Sequence, residues 1–173
     1  MKDSASAYEL YIVRHAIAEQ RDDKKYSDDA KRPLSPKGKK RMEEVSQGLA
    51  RLGVEPVWIV SSPLARAKET DEILARELSY DGEVTLTETL APGGSTNALL
   101  QMLAKRPDAR TVIVVGHEPD LSKLLGELVA ASDGAGLGFR KGGVALVSFQ
   151  KNPARGQGTL EWLATPKILR RLT

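Results

Sequence analysis

The sequence predicts an α/β fold: a three-layer sandwich whose mostly parallel central sheet carries helices on both faces. Three observations lead there. Short, β-branched apolar runs alternate with longer segments of helical apolar spacing. The clearest of these runs are almost continuously hydrophobic, as expected of strands buried on both faces. No linker-like stretch divides the chain, so its 173 residues are expected to form one domain, 1–173.

Tyr8–Val13 (YELYIV) reads as the first buried strand. The polar segment Gln20–Pro33 (QRDDKKYSDDAKRP) has no periodicity, and is either a loop over a site or a solvated excursion. Ser35-Pro36 supplies an N-cap and a first-turn proline, after which Met42, Val45, Leu49 and Leu52 recur at helical spacing. Pro56–Val60 (PVWIV) is the next strand, and Ser62-Pro63 repeats the helix-start signal, with Ile73, Leu74 and Leu78 as the buried face. Thr96–Lys105 and Pro119–Ala131 are two further helices, on either side of the strand Thr111–Val115 (TVIVV). Val144–Phe149 and Thr159–Leu163 read as an antiparallel edge pair around the turn at Asn152–Gly158.

Composition excludes several function classes. With 40% hydrophobic and 28% charged residues, the chain is neither disordered nor a coiled coil. It has no cysteine, which removes a disulfide framework, a thiolate zinc site and a cysteine nucleophile together. The net charge of +3 favours anionic ligands, but Lys and Arg are interleaved with Asp and Glu, so no nucleic-acid partner is expected. No run of ~18 apolar residues occurs and Met1–Leu10 has no apolar signal core, so the expectation is a cytoplasmic protein without membrane contact.

The chemistry sits at strand ends. One strand ends in Arg14-His15, a second in Ser61-Ser62-Pro63 followed by Arg66, and a third in Gly116-His117-Glu118. Ligands of open α/β sheets bind in the crevice beyond the carboxyl ends of the strands. A single histidine there is usually a hydrogen-bonded structural residue; two at equivalent ends, with arginines beside them, point to a reaction. A metal centre would need a third His or a carboxylate at ligand spacing, and the arginines would repel the cation, so no metal is expected. The guanidinium forks suit phosphoryl oxygens instead, and the helix start at Ser62 adds backbone N–H donors. A neutral imidazole among such cations can attack phosphorus. No GxxxxGK[ST] loop is present to support nucleotide hydrolysis by that route.

These residues resemble the histidine phosphatase superfamily, the phosphoglycerate-mutase-like enzymes, and within it the small SixA-type phosphohistidine phosphatase branch. The matching segments are YIVRHA (Tyr11–Ala16), RPLS (Arg32–Ser35) with Gly38, SSPLARAKET (Ser61–Thr70), ETLAPG (Glu88–Gly93), VGHEPDLS (Val115–Ser122) and Gly142-Gly143. They run in family order over nearly the whole chain. The resemblance implies a phosphoglycerate-mutase-like fold and a metal-independent phosphatase without cofactor. His15 would be the nucleophile that is transiently phosphorylated, Arg14 and Arg66 the clamp on the phosphoryl oxygens, and His117 the donor to an equatorial oxygen as charge builds. Arg32 resembles a further pocket arginine, with Ser62 and Ala16 at the phosphate; Ala16 replaces the glycine of larger relatives but keeps the N–H. Glu88 and Glu118 are candidates for the general acid, or else structural residues capping a helix or pairing with arginine. The implied substrate is a phosphohistidine-bearing protein, with phosphate and other oxyanions as ligands. Alternatives are a phosphomonoesterase acting on a small sugar or cofactor phosphate, and a non-catalytic phosphoryl-binding module. A mutase is disfavoured because the long insertions of those relatives are missing.

Overall fold

Six strands form one sheet in the order β3-β2-β4-β1-β5-β6 in the computed structural model, which describes residues 7–130 and 132–173. Residues 1–6 of the expected domain, and Ala131 at the end of the expected fourth helix, lie outside the described residues. In chain order the elements are β1 (Tyr8–Arg14), α1 (Pro36–Arg51), β2 (Trp58–Ser61), α2 (Ala65–Glu77), β3 (Thr85–Leu86) and α3 (Thr96–Ala104). Then come β4 (Thr111–Gly116), α4 (Asp120–Ala130), β5 (Val144–Phe149), β6 (Thr159–Ala164) and α5 (Pro166–Leu169). β1, β4, β2 and β3 are parallel, while β5 pairs antiparallel with β1 and β6 antiparallel with β5. The expected edge pair is therefore present, and the fold is the α/β sandwich that the alternation predicts.

Strand alternation distributes the core. Tyr8, Leu10 and Ile12 of β1, with Val112 and Val114 of β4, face Leu99, Leu103, Leu121, Leu125 and Leu128 of α3 and α4. Tyr11 and Val13, with Ile113 and Val115, face Met42, Val45, Leu49 and Leu74 of α1 and α2. Burying each Leu, Ile or Val side chain is worth about 1.5–3 kcal/mol, so the two layers hold β1 and β4 as the rigid centre. Among the described residues no helix is long and apolar enough to cross a membrane.

One expected helix start needs correction, and one strand has no counterpart in the sequence reading. Helix α2 begins at Ala65 rather than at Ser62-Pro63. The Ser62 N–H donates to the Val115 carbonyl (3.0 Å), so the ladder between β2 and β4 continues past the last strand residue and delays the helix. The two-residue strand β3, at the edge of the sheet beside β2, lacks the apolar run that would announce it. The start of α1 is as expected: Ser35 Oγ accepts from the Gly38 N–H (3.0 Å) with Pro36 in the first turn. That turn packs so closely on the chain after His15 that a Cβ on Gly38 would lie 1.9 Å from the Ile17 carbonyl oxygen.

Candidate active site

The backbone of His15 is fixed from both neighbouring strands. Its N–H donates to the Gly116 carbonyl at the end of β4 (3.0 Å), and its carbonyl accepts from the Gly142 N–H ahead of β5 (3.1 Å). Gly142 turns there with φ +79°, a conformation that side-chain-bearing residues avoid. The His15 ring is buried, and its Nδ1 lies 2.7 Å from the Ala16 carbonyl oxygen. A carbonyl only accepts, so Nδ1 carries the proton and Nε2 presents a lone pair. Burial first, then His117, Arg66 and Arg14, hold the His15 pKa down to about 3, against the opposite pull of the Ala16 carbonyl. At neutral pH the ring is therefore uncharged and fit to be a nucleophile.

His117 follows β4, and its ring centroid lies 5.1 Å from that of His15. Its Nε2 is 2.8 Å from Ser62 Oγ, while Nδ1 is buried without a partner among the described residues. Burial, followed by the charges of Arg66 and Arg14, brings its pKa down to about 4. Arg66 rises from the first turn of α2 and is 5% exposed. Arg14 donates from Nη1 to the Phe139 carbonyl (2.7 Å). The Nε atoms of both arginines are buried without partners among the described residues. An unsatisfied buried polar group costs about 1–3 kcal/mol. Two guanidinium nitrogens and an imidazole nitrogen left so around one histidine match a ligand with several acceptor oxygens.

The structure thus brings His15, Arg14, Arg66, His117 and Ser62 together. Arg32 joins them through a shared carboxylate: its Nε lies 2.8 Å from Asp29 Oδ1, and Asp29 Oδ2 lies 3.2 Å from Arg66 Nη2. Asp29 sits in a one-turn 3-10 helix (Asp29–Lys31) within the polar excursion, so this part of Gln20–Pro33 is a loop over the site. Ala16 does not serve the phosphate as expected. Its N–H donates to Thr70 Oγ1 (3.0 Å) and its carbonyl accepts the hydrogen bond of His15 Nδ1–H, so it orients the nucleophile instead. Thr70 in turn donates to the Arg66 carbonyl (2.7 Å).

The two glutamates differ. Both carboxylate oxygens of Glu118 accept from Ser122, one from its N–H and one from its hydroxyl, which caps the start of α4. Glu88 is exposed just beyond β3, at the same sheet edge as Ser62. Sequence reasoning missed Asp29, Thr70 and Asp71. Thr70 stands inside the SSPLARAKET segment, which marks it; Asp29 carries no local signal. Asp71 is buried behind Ser61, with Oδ2 unpartnered among the described residues, and burial pushes its carboxyl up to about 7 while the Ser61 hydroxyl pulls the other way.

Comparison with known proteins follows this geometry. The family model described as "Histidine phosphatase superfamily (branch 1)" matches residues 10–91. An uncharacterized protein of Picosynechococcus sp. (strain PCC 7002) is 39% identical over 169 residues, covering 93% of this chain and 98% of that protein. The structure of the protein histidine phosphatase SixA complexed with tungstate superposes with TM-score 0.82 at 24% identity, covering 93% of this chain and 99% of that one. A mycobacterial glucosyl-3-phosphoglycerate phosphatase superposes with TM-score 0.68 at 18% identity, over 92% of this chain and 100% of that one.

Proposed function

The chain belongs to the histidine phosphatase superfamily, and on that premise we propose that it hydrolyses phosphohistidine on a partner protein through a covalent phosphohistidine at His15. The observation that carries this reading is the state of the His15 ring: buried, neutral, protonated on Nδ1 and open on Nε2, with His117, Arg14 and Arg66 around it. Residues 1–173 would act as one phosphatase domain.

In the first step His15 Nε2 forms a bond to phosphorus as the bond from phosphorus to the substrate imidazole breaks. The leaving imidazole keeps the bonding pair and takes a proton from solvent. Arg14 and Arg66 hold the phosphoryl oxygens, and His117 faces the charge that grows on them. Water then attacks the phosphoenzyme, the P–Nε2 bond breaks, and inorganic phosphate leaves with His15 restored. An imidazole is an easy leaving group because its conjugate acid has a pKa near ~6.5. No strongly placed general acid is required, which agrees with the engagement of Glu118 by Ser122.

Hydrolysis of a small sugar or cofactor phosphate is the second reading, favoured by the exposed carboxylate of Glu88 at the sheet edge that carries the site. The deciding experiment compares turnover of a histidine-phosphorylated peptide with that of aryl and sugar phosphates, while the phosphoenzyme is trapped by alkaline quench. The proposal expects label on His15, lost in His15→Ala, and faster turnover of the peptide. A sugar phosphate cleaved orders of magnitude faster would replace it with the second reading.

A further inference from the structure

Beside the phosphoryl site, on the side of α1 and α5, two cavities of about 360 Å³ and about 520 Å³ run together and share five wall residues: Ile17, Arg41, Lys141, Pro166 and Lys167. Each is on the scale of a pocket that accepts a ligand-sized group. The smaller cavity reaches Ala16, next to His15, and the larger reaches Arg14, so the groove opens directly onto the catalytic strand end. Its apolar floor is formed by the half-buried Ile17 and Pro166, over the fully buried Met42 and Val45. Its rim is basic: Arg41, Arg140, Lys141 and Lys167.

The charge balance of this groove is one-sided. Among the described residues no aspartate or glutamate lines either cavity. None of the four rim cations forms an ion pair among the described residues, and only Arg170, which also lines the smaller cavity, is paired, with Glu44. Like charges held together without carboxylates repel one another, and the arrangement is relieved by an anion. A free phosphate would be drawn to Arg14 and Arg66 and would leave the apolar floor uncovered. A chain segment with alternating acidic and apolar side chains covers both.

We propose that this groove docks the acidic segment flanking the phosphohistidine of the protein substrate, and so selects among phosphorylated partners. The inference rests on the phosphohistidine reading given above. Apolar side chains of the segment lie on Ile17 and Pro166, and its carboxylates meet Arg41, Lys141 and Lys167. The positive field also steers encounter, an advantage that salt removes.

Three substrates test it: phosphohistidine as the free amino acid, and two histidine-phosphorylated peptides that differ only in Asp/Glu against Ser/Gln flanks. The acidic peptide is expected to exceed the neutral one in kcat/KM by roughly 10–100-fold at low salt, the combined effect of three cation contacts. That advantage is expected to collapse near ~0.5 M salt, where the screening length is only a few ångströms. The triple variant R41E/K141E/K167E, and the milder pair K141A/K167A, should lose the preference while hydrolysing free phosphohistidine within about two-fold of wild type, which also reports correct folding. Equal kcat/KM for the two peptides, or a preference that survives both variants, would overturn the groove proposal alone. If phosphohistidine in every form resists hydrolysis while a sugar phosphate is cleaved, the underlying reading falls and the groove proposal with it.

Discussion

Asp29 grips Arg66 twice: its carbonyl accepts from Nη1 at 2.9 Å and its carboxylate lies 3.2 Å from Nη2. The same carboxylate is held by Arg32, and these partners, Arg32 foremost, keep its pKa below the ordinary value. Asp29 therefore stands at neutral pH as a fixed negative charge beside the arginine that would receive a phosphoryl group.

That charge opposes an incoming anion. Asp29→Asn keeps the shape of the loop and removes the charge, so inhibition by phosphate or tungstate should tighten by roughly 3–10-fold. Inhibition constants measured at low salt give the answer. Weaker inhibition by the same ions would mean that Asp29 serves mainly to aim Arg66.

The histidines make stability depend on pH in a defined direction. Both have folded pKa values, about 3 for His15 and about 4 for His117, below the ordinary 6.5, so between those limits the unfolded chain binds more protons. Stability is then complete above about pH 6.5 and falls on acidification, by up to about 1.4 kcal/mol per pH unit for each histidine. Asp71 has the opposite sign: raised from 3.8 to about 7, it burdens the fold increasingly as pH rises through that range. Between pH 4 and 6.5 two histidines oppose one carboxyl, so Tm should still drop with acid. Replacing His117 with Gln should flatten that limb, and Asp71→Asn should raise Tm at pH 8. A Tm that rises on acidification would refute the assignment.

Thr70 links the nucleophile to the phosphate clamp, accepting from the Ala16 N–H and donating to the Arg66 carbonyl. Thr70→Val leaves a buried N–H unsatisfied and should cost about 1–3 kcal/mol in urea unfolding, with lower turnover. Thr70→Ser retains the hydroxyl and should recover both. Equal behaviour of the two variants would show that the methyl, not the hydroxyl, matters.

Charge neutralisation is assigned to guanidinium groups, so EDTA should leave turnover unchanged. Arg66→Lys should still lower it by roughly 10²-fold, since a lysine cannot offer Nε and Nη donors in one plane. Activity lost to the chelator and restored by a divalent ion would require a different mechanism.

For the glutamates, the hydrogen bonds decide the expectation. Glu118→Gln weakens an acceptor for two Ser122 donors and should cost about 0.5–2 kcal/mol of stability, with phosphohistidine turnover nearly intact. Glu88→Gln should slow ester hydrolysis more than phosphohistidine hydrolysis. Both are read from parallel assays on a peptide and an aryl phosphate.

What the sequence made legible follows from where the forces are local. β1 and β4 are continuous apolar runs, and the start of α1 is a Ser-Pro cap, so periodicity and capping suffice for them. The same logic misplaced the start of α2, because Ser62 is recruited by Val115 and His117, both distant in sequence. Strand β3 is two residues long and exists only because β2 offers it an edge. In the site, the strand-end pairs Arg14-His15 and Gly116-His117 were visible together. The Asp29–Arg66 contact was not, since it spans 37 positions and depends on the path of an aperiodic loop. Ala16 was misjudged for a similar reason: only the folded chain brings Thr70 to its N–H.

β1 and β4 also act as a ruler. His15 and His117 each stand one residue beyond the register partners Arg14 and Gly116, so their separation descends from the spacing between neighbouring strands, ~4.8 Å, and their rings lie 5.1 Å apart. The gap between the two imidazoles is thus a property of the peptide backbone and not of any side chain that selection could adjust alone. Inserting or deleting one residue would turn Leu10 and Ile12 in β1, or Val112 and Val114 in β4, to the wrong helical layer in the same stroke that parts the histidines. Loops such as Gln20–Pro33 are free of that coupling. Divergence in this architecture can therefore rewrite what the enzyme recognises while leaving the gauge of its chemistry unchanged.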